Sequence, residues 1–121
     1  MALENVSVCI AEDNTVITTI IRRILRDCKM LYVATSAPSV ISLMHEFHPD
    51  ILCLDGNLLG GTAEDVLKEL AQSYHDTLGV VIVSGREVEI PAHFPFAIQT
   101  CQKPFTGTTL RQEVINVMTT R

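Results

Sequence analysis

The stretch Ile51-Leu52-Cys53-Leu54-Asp55 follows Pro49-Asp50 and leads into Gly56-Asn57. Four apolar residues in a row, too few for a helix of useful length, read as a strand covered on both faces. A covered strand belongs inside a parallel sheet. Its terminal carboxylate then stands at the sheet's rim, where open α/β sheets keep their sites.

Working outward, Val6-Ser7-Val8-Cys9-Ile10-Ala11 reads as a first strand ending in Glu12-Asp13. From about Asn14 to Lys29 the spacing turns helical, with Val16, Ile17, Ile20, Ile21, Ile24, Leu25 and Cys28 as a wide apolar stripe opposite Arg22, Arg23 and Arg26. The placement of acidic residues before this helix and basic ones toward its end suits the helix dipole. Leu31–Ala34 is a weaker second strand. Ser36 is a candidate N-cap, with Pro38 in the first turn. Val40, Ile41, Leu43, Met44 and Phe47 give the inward face of a helix that stops before Pro49.

Beyond Asp55, Thr62 and Asp65 resemble a capping box that opens a helix burying Ala63, Val66, Leu67, Leu70 and Tyr74. Gly79–Val83 is a fourth strand and ends at Ser84-Gly85. Arg86 to Phe96 holds Pro91 and Pro95, which leaves room for a turn or a short helix at most. Ala97–Gln102 is the fifth strand, ending at Lys103-Pro104. Thr106 caps a last helix with Leu110, Val114, Val117 and Met118 on one face.

The alternation predicts an α/β fold: a doubly wound, five-stranded parallel sheet with helices on both faces. The expected order is the flavodoxin-like 2-1-3-4-5, with the fourth helix short or missing. In that order Asp13, Asp55, Ser84 and Lys103 converge.

At 121 residues the chain suits one domain, residues 1–121. Hydrophobic residues make up 47% and charged ones 19%, enough apolar surface for an ordered core. The net charge of -5 and the lack of a basic stripe argue against a direct nucleic-acid or membrane surface. The apolar runs are too short to span a bilayer and the N-terminus carries no signal pattern, so a cytoplasmic location is expected. Cys9, Cys28, Cys53 and Cys101 form no CxxC pair, and three of them fall in strands; they read as small buried hydrophobes. His45 and His48, at i, i+3 near a helix end, suggest exposure or local capping rather than metal binding.

Glu12, Asp13 and Asp55 brought together would repel, and a hard dication removes that conflict. Mg²⁺ is commonly held by one or two carboxylates with water and phosphate oxygens. Lys103 supplies a point charge for an anion, and Ser84 a hydroxyl. Together they describe a phosphoryl-transfer site with aspartate as nucleophile. Each part alone has a plainer reading: Asp13-Asn14 as a helix cap, Asp55-Gly56 as a turn, Ser84-Gly85 as a loop start. The conjunction at four strand ends carries the inference.

With those residues in place, the chain resembles the receiver domain of two-component response regulators over nearly its whole length. Glu12-Asp13-Asn14 is similar to the family's acidic pair, Asp55 to its phospho-acceptor, Ser84 in Val-Ile-Val-Ser-Gly to its Ser/Thr position, and Lys103 in Gln-Lys-Pro-Phe to its lysine. The resemblance implies a phosphorelay protein that accepts a phosphoryl group on Asp55 from a histidine kinase or histidine phosphotransfer domain. It implies Mg²⁺ (or Mn²⁺) held by Asp13, Asp55 and the backbone carbonyl of Asn57, with Glu12 acting through water. Lys103 and Ser84 would bond the phosphoryl oxygens. Output would pass by protein contact to a downstream protein or an attached output domain. Such a regulator is no enzyme in the usual sense, catalysing only its own phosphorylation and dephosphorylation. The helix-one arginines would lie near the docking surface, and the Lys103-Pro104 peptide is often cis in the family.

The sequence departs from the family pattern in three places. Asn57-Leu58-Leu59-Gly60-Gly61 replaces the usual Met-Pro and suggests a mobile loop. Thr100 stands where the family carries an aromatic ring. The proline-broken segment shortens helix four, part of the usual output face. The last two departures support an alternative, a pseudo-receiver that signals by contact without phosphorylation, which the complete acidic and lysine set opposes. A flavin-type cofactor enzyme fits poorly, since Glu12-Asp13 would repel a phosphate and the chain has no Trp.

Overall fold

The computed structural model describes residues 3–74, 78–85 and 94–120. The elements run β1 (Ser7–Ala11), α1 (Thr15–Ile24), β2 (Met30–Ala34), α2 (Ala37–Phe47), β3 (Ile51–Asp55), β4 (Asn57–Leu58), β5 (Gly61–Thr62), α3 (Ala63–Leu70), β6 (Gly79–Ser84), β7 (Ala97–Gln102) and α4 (Gly107–Thr120). Five strands pair in the order β2-β1-β3-β6-β7, all parallel. With the β4–β5 hairpin set aside, this is the expected 2-1-3-4-5 order, and it brings the C-terminal ends of β1, β3 and β6 side by side. The short or missing fourth helix was expected within residues 86–96, and 86–93 lie outside the described residues.

Alternation along each strand divides the core in two. Cys9, Leu52, Leu54, Val80 and Ile82 face α2 and α3 on one side. Val8, Ile10, Ile51, Cys53, Val81 and Val83 face α1 and α4 on the other. All four apolar residues of β3 are buried, as a strand between two neighbours and two helix layers requires. Gly79 lets α4 come close to the sheet: a Cβ there would lie 2.9 Å from Ile51 Cδ1 and 3.1 Å from Val117 Cβ. Cys9, Cys53 and Cys101 are buried free thiols, and burial pushes Cys9 up to about 12. Such thiols are inert packing groups at neutral pH.

The helix starts follow the sequence closely. Ser36 caps α2, exchanging hydrogen bonds with Ser39. Thr62 and Asp65 form the reciprocal box at α3, with Asp65 N–H donating to Thr62 Oγ1 at 3.2 Å and Thr62 N–H to Asp65 Oδ2 at 3.1 Å. His48 ends α2 in the left-handed region, φ 49°, its N–H donating to the Met44 carbonyl. Tyr74 is buried and its hydroxyl donates to the same carbonyl at 2.6 Å.

Three local expectations need correction. Helix α1 ends at Ile24, five residues short of Lys29, because the chain turns back through Cys28 N–H to Leu25 O and Lys29 N–H to Val6 O. Its apolar stripe is wider than the core it covers: Ile21 and Leu25 are buried, whereas Val16 is 66% and Ile20 42% exposed. Phe47, expected to face inward, is half exposed and stacks on Tyr32 with ring centroids 4.7 Å apart.

The loop after Asp55, expected to be mobile, forms the antiparallel β4–β5 hairpin, turned at Gly60 with φ 84°. Leu59 O accepts from Ala37 N–H at 2.8 Å and tethers that hairpin to the start of α2. Buried Leu58 anchors it from below.

Candidate functional site

β1 and the start of α1 supply the first two carboxylates. Glu12 N–H donates to Ala34 O, extending the β1–β2 pairing by one residue and pointing the chain toward the rim. Asn14, and not Asp13, is the helix cap: its Oδ1 accepts from Val16 N–H at 2.9 Å and Ile17 N–H at 3.2 Å. Asp13 is thereby left exposed and available to a ligand. The Asn14 backbone N–H donates to Glu12 Oε2 at 3.2 Å, which fixes the Glu12 carboxylate.

β3 supplies Asp55. Its Oδ1 accepts from Asn57 N–H at 3.3 Å, and Gly56 N–H donates to Val83 O, so the turn after the strand is held from both sides. β6 and β7 finish together, with Ser84 paired to Gln102 and Ser84 O accepting from Lys103 N–H at 2.7 Å. That bond sets Lys103 beside Ser84 at the rim. The Lys103-Pro104 peptide is cis.

The side chains meet. Lys103 Nζ lies 3.0 Å from Glu12 Oε1 and 3.5 Å from Asp55 Oδ1. Glu12, Asp13 and Asp55 each place a carboxylate oxygen within 4.8 Å of the others. Glu12 is 2% exposed, and its carboxyl is held above the ordinary carboxylate range. Burial is the main cause, opposed by the Lys103 ammonium and the Asn14 amide and reinforced by Asp55. The Asp55 side chain is 11% exposed and that of Lys103 21%, so both are reachable from solvent yet partly shielded from it.

Three carboxylates against one ammonium leave a formal deficit of two positive charges. The donors are all hard oxygens within 4.8 Å of one another, and this set fits a hard dication. Asn57 stands beside Asp55 as the first residue of β4. Ser84 closes β6 on the far side, half-buried. The sequence reading overlooked the Asn14 amide as the group that steadies Glu12. Its only signal was an Asn directly after the acidic pair at a helix start. Thr100, paired with Ile82 in mid-β7, has its side chain exposed.

Comparison with known proteins agrees with this geometry. Residues 8–115 match the response regulator receiver domain, and the chain belongs to that family. Among solved structures, it is similar to the response regulator domain of Thermotoga maritima CheB, with a TM-score of 0.81 and 16% identity over 97% of this chain and 98% of that one. It is also similar to the receiver domain of the sensor histidine kinase PA1611 from Pseudomonas aeruginosa, which carries a magnesium ion in its active-site cleft. There the TM-score is 0.78 and the identity 13%, over 95% of this chain and 98% of that one. The response regulator PhyR from Brucella abortus aligns at a TM-score of 0.78 and 16% identity over 95% of this chain, which spans 48% of PhyR's length. At these identities the likeness is one of fold. No curated protein matches the chain.

Proposed function

We propose that the protein accepts a phosphoryl group on Asp55 from a phosphohistidine of a kinase or phosphotransfer domain in the cytoplasm, and passes the signal on by protein contact. The observation that carries this reading is the meeting of Lys103 Nζ with Glu12 and Asp55 beside the three-carboxylate cluster. A structural ion pair needs one carboxylate; two on one lysine with a third beside them are costly unless a cation and an anion complete them.

Asp13, Asp55 and the Asn57 carbonyl would hold Mg²⁺ or Mn²⁺, with Glu12 contributing through water. The bound cation would offset the negative charge of the transferring phosphoryl oxygens. Asp55 provides the attacking oxygen: a P–O bond forms to its carboxylate as the P–N bond to the donor imidazole breaks, and the imidazole leaves with the bonding electron pair. Lys103 exchanges a carboxylate for a phosphoryl oxygen, so its charge stays paired throughout. Ser84 is at hand to bond another phosphoryl oxygen. The chain thus promotes its own phosphorylation and dephosphorylation and turns over no other substrate.

The exposed Val16 and Ile20 offer an apolar docking face on α1. With Thr15, Thr19 and Arg23 they line a groove of about 360 Å³.

A second reading, signalling by contact alone, is favoured by Thr100, which is exposed and has no ring to move. Mg²⁺ titration followed by amide NMR separates the two. Saturable shifts at Asp13, Asp55 and Asn57, with a phosphoryl adduct by intact mass when a small phosphodonor is added, support phosphorylation. Neither shifts nor adduct would establish the contact-only protein.

A further inference from the structure

Helices α2 and α3 cover the same face of the sheet, and the β4–β5 hairpin closes the space between their starts. A groove of about 360 Å³ runs there, lined by Pro38 and Ile41 of α2, Gly60 of the hairpin and Asp65, Val66 and Glu69 of α3, among others. It shares no residue with the acidic site. Its hairpin end is tightly built. A Cβ on Gly60 would lie 3.2 Å from Pro38 Cδ, and one on Gly61 would lie 3.2 Å from Ala37 Cβ.

The two long sides differ in charge. From Ala37 to Met44, α2 holds no charged residue, although a surface helix ordinarily turns charged side chains to solvent. The helix start explains Pro38 and Ser39. It does not explain Ile41, which is only half-buried beside the groove. On the other side, α3 presents Asp65 and Glu69, both exposed. Among the described residues no cation lies within 4 Å of either, since Lys68, the one cation of α3, pairs with Glu64 at 3.4 Å. Asp65 has its place in the capping box, where only Oδ2 accepts from Thr62 N–H. Glu69 has no such place: it stands in the last turn of α3, where the helix's own dipole disfavours a negative charge.

We infer that this groove docks a segment of a protein partner in which an apolar side chain is flanked by arginine or lysine. The apolar side chain seats against Pro38 and Ile41, and the basic one reaches Glu69 and the open oxygen of Asp65. A nucleic acid or an anionic membrane would meet those carboxylates as like charges. A second copy of this chain is a poorer occupant, because two chains of net charge -5 repel and Arg111 is already held by Asp27 at 2.7 Å. The inference is independent of phosphoryl transfer at Asp55.

The test is an amide NMR titration of the whole chain with the capped tetrapeptide Arg-Leu-Leu-Arg, in about 0.1 M salt, where well-separated charges are screened. Saturable shifts confined to residues 37–42, 59–61 and 65–70 are expected. Capped Arg-Ser-Ser-Arg lacks the apolar anchor and capped Glu-Leu-Leu-Glu reverses the charge; each should bind at least about fivefold more weakly. Glu69→Lys should weaken binding of the first peptide about tenfold, the scale of reversing one charge partner at an interface. Glu4→Lys makes the same change in net charge before β1, at the far end of the sheet, and should alter affinity less than about twofold. Both side chains are exposed, and matching melting temperatures check that the variants fold. The peptide series on the wild type decides the matter without them. The inference is overturned if no saturable shifts appear in the groove, if Arg-Ser-Ser-Arg binds as tightly as Arg-Leu-Leu-Arg, or if Glu4→Lys weakens binding as much as Glu69→Lys. Concentration-dependent self-association that Glu69→Lys abolishes would assign the groove to a second copy and overturn it as well.

Discussion

Strands β3 and β7 each lead to a charged residue of the same pocket, but they are held in different ways. β3 runs between two neighbours with four of its five residues buried, whereas β7 is an outer strand with only Cys101 buried. Asp55 is thus placed by packing: moving it would disturb both halves of the core. Lys103 is placed by pairing, through its N–H to Ser84 O and its ammonium to Glu12 and Asp55. The site combines a carboxylate mounted on a buried strand with an ammonium held by its charge partners.

The contrast can be broken first at β3. Leu52→Ala, with its side chain fully buried, should cost about 2–5 kcal/mol in urea unfolding. A cost below about 1 kcal/mol would mean that β3 is not the mount described here.

Lys103→Ala comes next, at about 1–3 kcal/mol in metal-free buffer, because it leaves the buried Glu12 carboxylate facing Asp55 without its partner. Lys103 favours the ionised form of Glu12, so the loss should be larger at neutral pH than in acid, where Glu12 is protonated. A loss independent of pH would contradict the charge pairing.

The Asp27–Arg111 pair bears on neither strand and should matter less. The Arg111 guanidinium holds the Asp27 carboxyl at about 2, below its ordinary 3.8. A depressed folded value makes the contribution complete above about pH 4 and lost as pH falls through 2. The Asp27 side chain is 44% exposed, so solvent screening keeps the effect of Asp27→Asn under about 1 kcal/mol. An acid titration of stability, wild type against variant, reads the difference directly.

Thr100→Ala on the exposed face of β7 should change stability by no more than about 0.5 kcal/mol. A larger loss would show that Thr100 has a structural part of its own.

The same contrast explains what could be read from the sequence. Buried strands announce themselves, because a parallel sheet between helix layers demands unbroken apolar runs, and Ile51–Asp55 and Gly79–Ser84 supply them. Strand ends then gather charged groups, so the meeting of Glu12, Asp13, Asp55 and Lys103 at one rim was legible. The Thr62–Asp65 capping box was legible as well, since it depends on residues three apart, and Ser36 was legible as a cap though not its return bond from Ser39.

Long-range placement of backbone was not legible. The β4–β5 hairpin depends on Leu59 O meeting Ala37 N–H, a contact between segments more than twenty residues apart. The end of α1 depends on Lys29 N–H finding Val6 O. The exposure of Val16 and Ile20 depends on how much of α1 the sheet and α4 cover, which helical periodicity alone does not reveal.

The most direct test of the central claim is to locate the phosphoryl group. The protein is phosphorylated with a small phosphodonor and Mg²⁺, the acyl phosphate is reduced with borohydride, and the product is mapped by peptide mass spectrometry. The account predicts homoserine at position 55 in the wild type and no reduced residue in Asp55→Asn. Reduction at Asp13 or Glu12 in the wild type, or unchanged labelling in Asp55→Asn, would contradict it.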